Sequence, residues 1–144
     1  MPEVRVAEPS DAPIVAELMS AFRNHIGRSE PSDAEVLSTI QRLLQDPQTE
    51  FLLAGSVGVC QLRYRLSVWT ATEDCWLEDL YVDDEARGTG VGRALIETAF
   101  ERAQARGCRR IQLDVADDNS RAIDVYRAAG FGTDGNTRLI TRRL

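Results

Sequence analysis

The chain has 144 residues, 43% of them hydrophobic and 28% charged, which fits one globular domain, residues 1–144, with room for a real core. A net charge of −6 argues against a nucleic-acid binder that works by neutralising phosphates. No apolar run approaches the ~20 residues that span a bilayer, and the charged start, MPEVRVAEPSD, does not read as a signal peptide, so a cytoplasmic protein with no membrane partner is expected.

In chain order, residues 4–7 (VRVA) alternate and predict a strand. Pro9, Ser10 and Asp11 supply a turn and a helix N-cap, and Ile14, Leu18 and Phe22 then mark a helical face. Ser32 and Glu35 have capping-box spacing ahead of a stripe of Val36, Ile40, Leu43 and Leu44, and Asp46 and Pro47 end that helix. FLLA at 51–54, Gly55 and residues 57–69 read as a hairpin, and a polar turn leads into the strand CWLEDLYV at 75–82. The run ARGTGVG opens a helix over 94–106 that stops at Gly107. IQLDVA at 111–116 is the next strand, Asn119 caps a last helix that ends at Gly130, and one or two strands from Phe131 onward close the chain.

This order predicts an α/β fold. It has a mixed central sheet of six or seven strands, with about four helices on both faces. The strand–helix–strand unit from Trp76 to Val115 predicts a right-handed crossover between parallel strands. Cys60, Cys75 and Cys108 are odd in number and widely spaced, and His25 is the one histidine. Reduced thiols in or near the core are therefore expected, and no metal site. All 17 basic residues are arginines.

The strongest chemical signal is RGTGVG, residues 87–92, directly after a strand and directly before a helix. Its glycines let backbone come close to a ligand, and the helix behind adds unpaired amides and a positive dipole end. Together they predict a pyrophosphate site over Arg87, Gly88, Thr89, Gly90, Val91, Gly92 and Arg93, the arginines adding charge. A P-loop is excluded, since it needs Gly-Lys-Ser/Thr and the chain has no lysine. A dinucleotide fold is excluded as well. The third glycine falls one residue early, and WLEDLYV carries two acids where a central Rossmann strand is apolar.

Arg87, Gly90 and Gly92, after a strand ending Leu-Tyr-Val, resemble motif A of the GNAT acetyltransferases. Asn119, Ala122, Tyr126, Gly130 and Phe131 resemble that family's N-x-x-A-x-x-x-Y-x-x-x-G-F block. The segment WLEDLYV is also similar to the matching strand of spermidine/spermine acetyltransferases, though only locally. The resemblance implies the GNAT fold with splayed parallel central strands, 76–82 and 111–115, and acetyl-CoA in the gap as co-substrate. Backbone groups of Leu80, Tyr81 and Val82 would pair with pantetheine as an added strand, one N–H polarising the thioester carbonyl. It also implies that Tyr126 is the general acid for the leaving thiolate and that Asn119 touches the cofactor as well as capping its helix.

The acceptor amine must lose a proton before attack, and a carboxylate can take it directly or through a water. Glu78 is the first candidate base and Asp79 the second. On a regular strand they face opposite sides, so only one would meet the cleft unless a bulge intervenes. Seven acids, Glu73, Asp74, Glu78, Asp79, Asp83, Asp84 and Glu85, would draw in a cationic amine, unless they are a solvated strand edge. Asn24 and His25 lie where family members build the acceptor pocket, although a lone loop histidine is more often surface.

The expected activity is acetyl transfer from acetyl-CoA to a primary amine on a small, cationic molecule, by direct attack in a ternary complex. A protein N-terminal or lysine acetyltransferase and a non-catalytic acyl-CoA-binding module stay open beside it. The family likeness further implies a homodimer formed through the last strands.

Overall fold

The computed structural model describes residues 2–133 and 138–144. The chain forms two compact units, residues 1–114 and 115–144.

The first unit is a five-stranded sheet in the order β1-β2-β3-β4-β5. Its strands are β1 (Arg5–Val6), β2 (Thr49–Ala54), β3 (Gly58–Ser67), β4 (Thr72–Val82) and β5 (Ile111–Gln112). The first four run antiparallel to their neighbours, while β4 and β5 run parallel, as expected for strands joined by a helical crossover. Helices α1 (Ala12–His25) and α2 (Asp33–Leu43) pack on one face and α3 (Val91–Ala105) on the other.

Period-two alternation explains both faces. Leu52, Ala54, Cys60, Leu62, Tyr64, Cys75 and Leu77 point to α3 and its Leu95, Ala99 and Ala103. Phe51, Leu53, Val59 and Tyr81 point to α1 and α2, against Val15, Leu18, Val36 and Ile40. Phe51, Leu52, Leu53, Leu62 and Leu95 are fully buried, and each stabilises the fold by about 1.5–3 kcal/mol relative to exposure. Gly58 admits α3 to the sheet: a Cβ there would lie 2.7 Å from Val91 Cγ1.

The caps follow sequence chemistry with one exception. Ser32 and Glu35 form the reciprocal capping box of α2. Asp11 precedes α1 but does not cap it with its side chain. Its carboxylate accepts two bonds from Arg5, at 2.7 and 2.8 Å, and one from the Glu8 amide. The cysteines are free, with Cys60 and Cys75 buried and Cys108 partly so. Burial pushes the Cys60 thiol up, and the Cys75 thiol up to about 12, which leaves both unreactive.

In the second unit, α4 (Ser120–Ala128) begins at Asn119, whose side chain accepts from the Ala122 amide at 3.3 Å, and ends before Gly130 at φ +100°. The closing strands do not form in residues 131–133 or 138–144; residues 134–137 of that expectation lie outside the described residues. The sheet therefore has five strands among the described residues rather than six or seven. The tail lacks the alternation a half-buried strand needs: Leu139 and Ile140 are adjacent and both exposed, followed by Arg142 and Arg143.

Candidate active site

Strand β4 carries the densest chemistry. It is laddered to β5 only at Cys75–Ile111 and Trp76–Gln112. Strand β5 stops there, although the sequence predicts a strand through 116, and β4 runs on to Val82 with its β5-side edge unladdered among the described residues. On the other edge Leu80, Tyr81 and Val82 pair with Cys60, Val59 and Gly58. The backbone of these three residues is thus available on one side for an added extended segment.

A bulge interrupts β4 where the acids lie. Gln61 pairs with Asp79 and Leu62 with Leu77, which leaves Glu78 as the extra residue. Leu77 and Leu80 both join the α3-side core, although three positions apart. The two residues between them, Glu78 and Asp79, are therefore both left to the α1 face that Tyr81 shares. This is the bulge on which the sequence reading made the facing of the two acids depend.

The two acids differ in environment. Glu78 is exposed, whereas Asp79 is half-buried. Burial pushes the Asp79 carboxyl up to about 6, and the nearby charges of Glu78 and Asp114 push the same way. A carboxyl held there is a carboxylate at neutral pH but accepts a proton readily.

Past β4, Gly88 (φ +78°) and Gly90 (φ +88°) adopt the left-handed conformation that side chains disfavour, though open space surrounds both Cβ positions. Gly90 is the N-cap of α3, and the first bond within that helix runs from the Ala94 amide to the Gly90 carbonyl at 3.0 Å. The amides of Val91, Gly92 and Arg93 consequently have no intrahelical acceptor and gather at the positive end of a 15-residue helix. The Thr89 hydroxyl is turned back onto the Ala86 carbonyl.

The arginines of this loop do different work. Arg93 reaches along α3 to Glu97 at 3.0 Å. Arg87 folds back toward the sheet. Its Nε donates to the Val82 carbonyl at 3.1 Å, its Nη1 pairs with Asp84 at 2.7 Å, and the guanidinium carbon lies 5.9 Å from the Tyr81 ring centre. Tyr81 stacks on Phe22 of α1 at 5.3 Å, and His25 lies 3.5 Å from Arg87. Arg87 therefore ties the loop to the end of β4 and to α1, a role the spacing of the motif did not reveal.

The acidic run divides in the same way. Glu73 is paired with Arg106 at 2.9 Å, Asp74 is buried against Arg110 at 2.7 Å and Thr70 at 2.8 Å, and Asp84 is held by Arg87. Only part of the run faces solvent as free charge.

In the second unit Tyr126 sits on α4, its ring 5.6 Å from Phe131 in an edge-on contact. Asn119 caps that helix. Sequence reasoning missed three groups on β3 and β4. Arg63 and Arg65 share the face of Gln61 on β3, and Trp76 lies under Arg65 at 5.5 Å. The signal was available, since arginines two apart on a strand must share a side. Among the described residues no cluster of three or more His, Cys, Asp or Glu could hold a metal ion, and no helix is long and apolar enough to cross a membrane.

Over 78 residues the chain is 38% identical to thialysine N-epsilon-acetyltransferase of Sus scrofa, a match over 51% of this chain and 45% of that protein. The chain thus covers about half the length of such relatives. Aminoglycoside N(6')-acetyltransferase type 1 of Stenotrophomonas maltophilia is 29% identical over 138 residues, 90% of this chain and 86% of that one. The crystal structure of a presumed acetyltransferase from Arthrobacter sp. FB24 superposes with a TM-score of 0.90 at 29% identity, covering 100% of this chain and 97% of that one. The family model described as acetyltransferase (GNAT) family matches residues 16–131, and with most of its length matched the chain belongs to that family.

Proposed function

We propose that the chain is an N-acetyltransferase that moves an acetyl group from acetyl-CoA to a primary amine by direct attack in a ternary complex. One observation carries the reading. A half-buried carboxyl, Asp79, stands on the same strand as an unladdered backbone edge, and that strand leads directly into the amide cluster of residues 87–93.

The chemistry follows from those parts. The amides at the start of α3 suit the pyrophosphate of the co-substrate. The open edge at Leu80, Tyr81 and Val82 suits the amide-bearing pantetheine arm, and a β4 N–H would stabilise negative charge on the thioester oxygen. An alkylamine has a pKa near ~10.4, so freeing its lone pair at pH 7 costs about 4–5 kcal/mol. Asp79 takes that proton, directly or through a water, and exposed Glu78 beside it holds the incoming ammonium. Nitrogen then attacks the thioester carbon, the carbon–sulfur bond breaks, and the thiolate receives a proton from Tyr126, the residue the family pattern places in that role.

Purified protein mixed with acetyl-CoA and a panel of amines, followed by free-thiol release, tests this. Acceptor-dependent release is expected. Acetyl-CoA binding with no release for any small amine or lysine peptide would leave a binding module in its place. A cytoplasmic location and a homodimer belong to the same proposal, the second testable by light scattering.

A further inference from the structure

Strand β3 is apolar through its middle except at one position. Val59, Cys60 and Leu62 are fully buried, and Gln61 among them is 5% exposed. Cys60 and Leu62 point to α3 and Val59 points to α1, so Gln61 shares the α1 face with Val59. In the ladder it stands directly opposite Asp79, at the last regular pair before the bulge. Opposed residues on one face have Cβ atoms about 4.5–5.5 Å apart, so one small group can touch both side chains.

Gln61 also differs in its bonding. The buried polar or charged side chains among the described residues are Asp11, Thr49, Gln61 and Asp74. Asp11 accepts from Arg5 at 2.7 Å, Thr49 donates to Asp46 at 3.2 Å, and Asp74 accepts from Arg110 at 2.8 Å. Among the described residues the Gln61 amide has no such partner, yet no fully enclosed side-chain polar atom is left unbonded. The amide therefore opens onto solvent on the α1 face, beside Asp79. A leucine would fill the same space and bury without loss, so packing alone does not account for a glutamine here.

We infer, on the strength of the acetyltransferase reading on which it rests, that Gln61 is a further catalytic residue: its amide oxygen accepts an N–H of the acceptor amine while Asp79 takes the proton that frees the lone pair. Gln61 itself gains no proton. It fixes the nitrogen so that the freed lone pair is held in one direction for attack. Its neutrality suits the task. A carboxylate at this position would favour the ammonium over the amine and would oppose ionisation of Asp79, whereas an amide accepts the same N–H with neither effect.

Wild type is assayed by free-thiol release with acetyl-CoA and lysine, spermidine or an aminoglycoside, and the fastest acceptor is carried forward. Gln61→Met and Gln61→Leu, which keep the bulk and remove the amide, are compared with Asp79→Asn and with the double variant Asp79→Asn/Gln61→Met. Each Gln61 variant should lose about tenfold in kcat/KM, the size of one hydrogen bond. Its acetyl-CoA affinity by calorimetry should stay at wild type, and its stability in urea should be equal or higher. In the double variant the two losses should not multiply, because both groups act on one nitrogen. Wild-type kcat/KM in the Gln61 variants, or losses that multiply in full, would overturn the inference and leave the acetyltransferase intact. Activity lost in step with acetyl-CoA affinity or with stability would make Gln61 a structural residue and overturn it as well. Acetyl-CoA binding without transfer to any of these amines or to a lysine peptide would bring down the acetyltransferase reading, and this one with it.

Discussion

Replacing Asp79 with Asn should make the protein more stable and less active, with a defined pH dependence. In the fold the Asp79 carboxyl rises from its ordinary value of 3.8 to about 6, chiefly by burial and then by the charges of Glu78 and Asp114. The fold thus favours the protonated form. That contribution is fully present below the unfolded value and is lost as pH rises through about 6. At 1.36 kcal/mol per pH unit the loss amounts to about 3 kcal/mol. An asparagine has nearly the same shape and no charge to desolvate. Urea unfolding of both proteins at pH 4 and pH 8 should therefore show little change in relative stability at pH 4, and the variant ahead by up to about 3 kcal/mol at pH 8. The rate of acetyl transfer should fall by about 10²-fold or more, and the acid limb of the wild-type kcat/KM profile, near pH 6, should disappear. A stability difference that is the same at both pH values would refute the placement of a buried charge at Asp79. Retained activity would refute its role as base.

Three further outcomes are expected. Gly58→Ala should destabilise by about 1–3 kcal/mol in thermal or urea unfolding, because its Cβ would press on Val91 Cγ1, a branched side chain at the start of α3, at 2.7 Å. Ser32→Ala should cost about 1 kcal/mol in the same assay through loss of the α2 capping box, with no effect on acetyl-CoA affinity. Tyr126→Phe should lower kcat by about 10²-fold while acetyl-CoA affinity, read by calorimetry, stays near wild type; an unchanged kcat would remove Tyr126 from the mechanism.

Much of the fold could be read from residues. Helix α2 was visible because Ser32, Glu35 and the stripe at Val36 and Ile40 agree, and the glycine loop because Gly88 and Gly90 need left-handed backbone. What escaped depends on relations between strands. The Glu78 bulge is a matter of register between β3 and β4, and nothing local in WLEDLYV announces it. The shift of Asp79 follows from its burial in the folded chain and from the charges of Glu78 and Asp114, which are tertiary relations. The contacts of Arg87 with Val82, Asp84 and Tyr81 were not legible either, because these partners come together only when the loop turns back. The short β5 is similar: IQLDVA alternates well, but pairing ends at Gln112.

The central claim is that residues 87–93 present backbone amides to the pyrophosphate of acetyl-CoA. Calorimetric titration of the protein with acetyl-CoA, beside the Gly90→Ala variant, tests it most directly. Wild type should bind with one site per chain. The variant must force a side chain to φ +88°, at about 1–2 kcal/mol, and should bind about tenfold more weakly while keeping its fold by circular dichroism. Absence of binding to wild type, or equal affinity in a folded variant, would contradict the claim.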